Sequence, residues 1–208
     1  MPEPTAVSGP ATPDLDVRDI PKPQRHPLIF ARFAELSATE SFVLVNNHDP
    51  RHLRQEFDRD HRGSYEWTYL ETGPAWRIRI TRLVDTDLPR VLCNARDLAS
   101  DAPGSDDEGG AIWALDISQR HLDANVIHLQ PNSGIEMHAG PHLDVLMYIL
   151  NGSGLLTTET GSVALGSGML VWLPRRSRRS ITAASAGLSY ITVHPRRPAL
   201  AIGSTPTR

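Results

Sequence analysis

The stretch Gly134-Ile-Glu-Met-His138-Ala-Gly140-Pro-His142-Leu-Asp144-Val-Leu-Met-Tyr148-Ile-Leu-Asn-Gly152 decides how this chain is read. It sets two imidazoles and a carboxylate, the alphabet of a metal site, at the mouth of an apolar strand that ends in a glycine turn. A second block follows, Gly168-Met-Leu-Val-Trp-Leu-Pro174-Arg-Arg176-Ser-Arg178-Arg179. From Ile112 onward short apolar runs alternate with glycine turns, at 126–129, 143–150, 154–158, 163–165, 169–173, 180–183 and 188–194. Many short strands at this spacing predict a closed all-β barrel or sandwich.

Upstream the pattern is different. Leu15-Asp-Val-Arg18 predicts a short strand, and Pro21-Lys-Pro23 precedes a helical stripe carrying Ile29, Phe33 and Leu36. Residues 41–45 are β-rich. Asn46-Asn-His48-Asp49-Pro50 is a turn cluster in which Asp49 is placed to cap a helix over 51–60. Residues 65–69 and 76–80 alternate strongly around Gly73-Pro74 and predict a hairpin. The order β-α-β-α-β-β predicts an α+β two-layer sandwich, with helices over one face of a small mixed sheet. Between the two regions, residues 86–110 change character, acidic and rich in small residues from Asp97 and empty of large apolar side chains from Ala99 onward, as a charge-extended flexible linker would be. The expected layout is therefore a disordered arm (1–13), an α+β domain (14–85), a linker (86–110), a β-barrel (111–198) and a tail (199–208).

A net charge of −3 gives no general attraction to nucleic acid or to an anionic membrane. The single cysteine, Cys93, excludes an internal disulfide framework and suits a reducing compartment. With no basic, apolar leader and no apolar run of membrane-spanning length, a cytoplasmic protein is expected.

The motifs of the first region, Leu15-Asp-Val-Arg18, His26-Pro-Leu-Ile29 and Val45-Asn-Asn-His48-Asp-Pro-Arg-His-Leu53, resemble an uncharacterised branch of TusA/SirA-like domains. Sulfur carriers of that wider family use a Cys-Pro-x-Pro motif, placed where a helix N-terminus favours a thiolate. Here the corresponding segment reads Ile20-Pro21-Lys22-Pro23, so the carrier thiol is replaced and the resemblance implies a partner-interaction domain without sulfur transfer. The second region is similar to a single-domain cupin, a double-stranded β-helix or jelly-roll barrel that often holds a metal. Aligned on Gly134 and Gly152, the first cupin motif keeps His138, has Gly140 for its second histidine and places Asp144 near its glutamate. In the second motif, Gly168 and Pro174 are kept and Arg179 stands where the histidine would be.

Two readings stay open. His138, His142 and Asp144, with His194 as a weak fourth ligand, would suit one divalent metal (Zn, Fe, Mn or Ni) in an oxygenase- or isomerase-type enzyme. Against it, a guanidinium cannot coordinate and would repel a metal ion. In the other reading the protein is a non-catalytic binder or regulator. Arg179, with Asp144 and Tyr148, then receives a small anionic ligand, or Asp144 and Arg179 simply form an ion pair. His26, His48 and Asp49 form a candidate surface site in the first region, weighed against a plain turn and helix cap. The cupin resemblance also implies a homodimer through the barrel.

Overall fold

The computed structural model describes residues 14–101 and 109–196. The expected arm, the core of the acidic stretch and the tail lie outside them. The chain divides into two compact units between Arg90 and Val91. Among the described residues no helix is long and apolar enough to cross a membrane.

In the first unit β1 (Asp14–Asp16) runs parallel to β2 (Ser41–Asn46). β4 (Trp76–Arg82) lies antiparallel to both β2 and β3 (Tyr65–Glu71), giving the sheet order β1-β2-β4-β3. The helices are α1 (Lys22–Ala34) and α2 (Arg51–Asp60). Four-residue spacing puts Ile29 and Phe33 on one face of α1, and Leu53 and Phe57 on one face of α2. These side chains are buried with Phe42, Leu44, Ile78 and Ile80 of the sheet in one core. Phe57 is its centre, stacked on Phe30 at 4.6 Å and edge-on to Phe33 at 5.1 Å. Each fully buried ring or branched side chain of this kind contributes about 1.5–3 kcal/mol.

Asp49 does not cap α2. The cap position is Pro50, and Asp49 instead accepts from Arg51 Nε at 2.7 Å and from the Tyr69 hydroxyl at 3.0 Å. The stretch expected to be a flexible linker also carries structure. Residues Ala95–Ser100 form α3, started by Asn94, whose side chain accepts from the Arg96 amide, and Ala99 is buried.

The second unit is built on two long strands, β8 (Val145–Thr158) and β11 (Arg178–Pro195), paired antiparallel along most of their length. At one end β11 also pairs with β7 (Gly134–Ala139), while β8 pairs with β9 (Gly161–Gly166). At the other end β11 pairs with β6 (Leu122–Leu129), which pairs with β5 (Gly110–Ala114), while β8 pairs with β10 (Leu170–Leu173). The ladder is open: β5, β7, β9 and β10 each end it as an edge, so hydrogen bonding does not close the expected barrel. Both long strands bend between residues 152 and 188, where Gly152 takes a φ of 80°. Any side chain at Gly152 would run into the Gly187 carbonyl, so the bend depends on this glycine. Val145, Met147, Ile149, Leu156, Ile181, Leu188 and Tyr190 fill the core.

Candidate functional site

Alternation along β11 sends Arg179, Ile181 and Ala183 to the core side and Arg178 and Thr182 outward. Arg179 is therefore only 6% exposed, while Arg178 lies outside, 3.9 Å from Glu159. The Arg179 guanidinium occupies the space that a side chain on Gly140 would need. Its Nη1 donates to Ser177 Oγ at 2.7 Å and to the Ser177 carbonyl at 3.2 Å. Among the described residues its Nε and Nη2 groups have no protein acceptor, and it takes part in no ion pair. Burial pulls its pKa below the usual guanidinium value, yet an arginine stays charged. Burial likewise pushes the Tyr190 phenol up to about 12, with the Arg179 charge pulling the other way. Arg179 borders a cavity of about 270 Å³ together with Thr158, Trp172, Leu173 and Ser177, and the same border carries one carboxylate, Glu159, which lies 3.9 Å from Arg178. Thr158 of β8 and His138 of β7 are the cross-strand partners of Arg179.

The expected metal ligands do not converge. Among the described residues no group of three or more His, Cys, Asp or Glu side chains is arranged to hold a metal ion. His138 is exposed, and its Nδ1–H donates to the Glu136 carbonyl at 2.8 Å. His142 is exposed too, its Nδ1 accepting from Arg176 Nε at 2.8 Å. Asp144 accepts the Arg175 amide at 2.8 Å, so it fixes the 174–177 turn and makes no ion pair with Arg179. That turn places Arg176 at a φ of 60°, a conformation suited to glycine. His194 sits at the far end of β11 opposite Asp123, and its Nδ1–H donates to the Pro195 carbonyl at 2.9 Å.

Tyr148 stands apart from Arg179. Val145, Met147 and Ile149 point into the core, so Tyr148 lies on the opposite face with Leu146, and it does not border the Arg179 cavity.

In the first unit His26, His48, His52 and Asp49 all border a single cavity of about 200 Å³. The His26 Nδ1–H donates to Glu56 at 3.0 Å, and the His48 Nδ1–H donates to Asn47 Oδ1 at 2.7 Å. The Arg51 guanidinium beside Asp49 holds that carboxyl below the usual carboxylate range. Ile20 packs against the apolar core.

Three participants escaped the sequence reading. Ser177 and Thr158 are small hydroxyl residues that no motif singles out. Arg25 had a visible signal: it stands four residues before Ile29 and eight before Phe33, a charged residue on an otherwise apolar helical stripe.

The family model described as "Uncharacterized conserved protein (DUF2249)" matches residues 14–82. No curated protein matches the chain. Among solved structures, the chain is similar to a Bacillus halodurans protein at 17% identity and TM-score 0.42, covering 53% of this chain and 85% of that one. A cupin-2 domain containing protein from Shewanella frigidimarina gives 12% identity and TM-score 0.40, over 50% and 95% of the two chains. An uncharacterized conserved protein with a double-stranded beta-helix domain from Klebsiella pneumoniae gives 13% and 0.43, over 51% and 90%.

Proposed function

We propose that the second unit is a cupin-like module whose metal motif has given way to an anion receptor, and that the protein is a non-catalytic small-molecule-binding or regulatory protein. The observation that carries this reading is Arg179: a buried cation with three N–H groups lacking a protein acceptor, bordering a cavity and free of any ion pair among the described residues. A single guanidinium with a free N–H edge matches one carboxylate, which it can bind through two parallel hydrogen bonds. Those N–H groups are not sealed from solvent, so an incoming anion can take the place of water at them. The small ligand is thus a carboxylate, with Thr158 and Ser177 as polar neighbours and Trp172 and Leu173 against its carbon part.

In this reading the first unit, TusA/SirA-like in its motifs, serves as a partner-interaction domain. The second unit pairs with its own copy through the outer face of β8 and β10, where Leu170 and Trp172 are each 63% exposed. The competing reading, a metal-dependent cupin oxygenase or isomerase, needs His138, His142 and Asp144 to converge. Each of them is engaged separately. Metal analysis of the purified full chain tests the choice. Sub-stoichiometric Zn, Fe, Mn and Ni supports the receptor, while a stoichiometric metal lost in His138→Ala supports the enzyme.

A further inference from the structure

The cavity of the first unit has an unbalanced charge. Its border includes three permanent cations, Lys22, Arg25 and Arg51, and one carboxylate, Asp49. Asp49 is committed to Arg51 at 2.7 Å. Lys22 makes no ion pair among the described residues, and Arg25 is 9% exposed with none either. Arg25 is held from four directions, all neutral: Nε donates to the Ile20 carbonyl at 2.7 Å and Nη2 to the Arg18 carbonyl at 2.9 Å. Nη1 donates to Asn46 Oδ1 at 3.2 Å and Asn47 Oδ1 at 3.3 Å. Of the five guanidinium donors, one N–H on Nη2 remains. The site is thus a rigidly oriented, buried positive charge with a second, flexible one at its mouth. Neither α1 nor α2 has an acidic residue in its first turn to offset them.

We propose that this cavity binds a small organic phosphate in its dianionic form. Two uncompensated cations match a dianion better than a carboxylate. The combination is also specific in kind, since Arg25 supplies a fixed donor and Lys22 a mobile point charge. Val17, Ile29 and Leu53 form an apolar wall for the carbon part. The cavity, about 200 Å³ in volume, suits a small phosphate ester. This site is independent of the Arg179 cavity, and either can fail without the other.

The test uses the full chain, labelled with 15N and titrated with inorganic phosphate at constant ionic strength. Saturable amide shifts confined to residues 17–29 and 46–53 are expected. Lys22→Glu alters an exposed side chain with no hydrogen bond among the described residues, and it weakens phosphate about tenfold or more. Arg179→Met leaves phosphate binding unchanged. If Arg25 were only a structural staple, shifts would be absent beyond those from an equal concentration of sodium chloride, or would survive Lys22→Glu unaltered. Either result overturns the proposal.

Discussion

Gly140 and Arg179 share one volume: the guanidinium of Arg179 fills the space into which a side chain on residue 140 would project. A side chain at residue 140 and an inward guanidinium at residue 179 are therefore mutually exclusive. An arginine can reach inward at 179 because residue 140 offers no Cβ. A histidine at 140 could not coexist with it.

Placing histidine at both positions should therefore create a ligand set. The double variant Gly140→His with Arg179→His removes the buried cation and brings two imidazoles to the space next to His138, the cross-strand partner of residue 179. The expected outcome is uptake of about one equivalent of nickel or zinc, measured by elemental analysis after dialysis. The wild type should retain far less, and each single variant should fall short of the double one.

Tyr190 makes alkaline stability a second test. Its phenol is pushed from 10.0 to about 12, chiefly by burial. Because the folded value is the higher one, this contribution is fully present below pH 10 and is lost as pH rises toward 12. Unfolding free energy should fall there by about 1.4 kcal/mol per pH unit from this group. Tyr190→Phe should flatten that slope. Denaturant titrations between pH 9 and 12, with phenolate absorbance followed alongside, check both statements.

The outer face of β8 and β10 makes the third. Trp172 pairs with Leu146 and Leu170 with Tyr148 across the two strands, so three large apolar side chains line one exposed face. Light scattering on the full chain at micromolar concentration should report a homodimer. Leu146→Lys with Leu170→Lys should give a monomer of unchanged circular dichroism, and a monomeric wild type would dismiss the pairing.

Much of the secondary structure was legible because period and burial agree. Ile29 and Phe33 mark α1, Leu53 and Phe57 mark α2, and Ile78 and Ile80 mark β4, each at the spacing its element requires. Where one-sided burial was weak, the signal vanished. β7 carries exposed Glu136, Met137 and His138 and was not foreseen as a strand. α3 is six residues long within an acidic stretch, too short for a periodic pattern. Gly152 and Gly187 read as turns between separate strands, whereas they bend two continuous ones. The site was harder still. Residue types alone could suggest an ion pair between Asp144 and Arg179, but the 174–177 turn presents the Arg175 amide to Asp144 instead. That outcome depends on three-dimensional register, which spacing does not encode.

Arg179 as an anion receptor, buried and without an ion pair among the described residues, is the central claim, and acetate is its simplest probe. Titration of the 15N-labelled full chain with sodium acetate, at constant ionic strength and pH 7, should give saturable shifts at Gly140, Ser177 and Arg179. Arg179→Met should abolish them, and Gly140→Ala, which displaces the guanidinium, should weaken binding about tenfold. Acetate shifts that persist in Arg179→Met, or a wild type with no saturable response at these amides, would contradict the account.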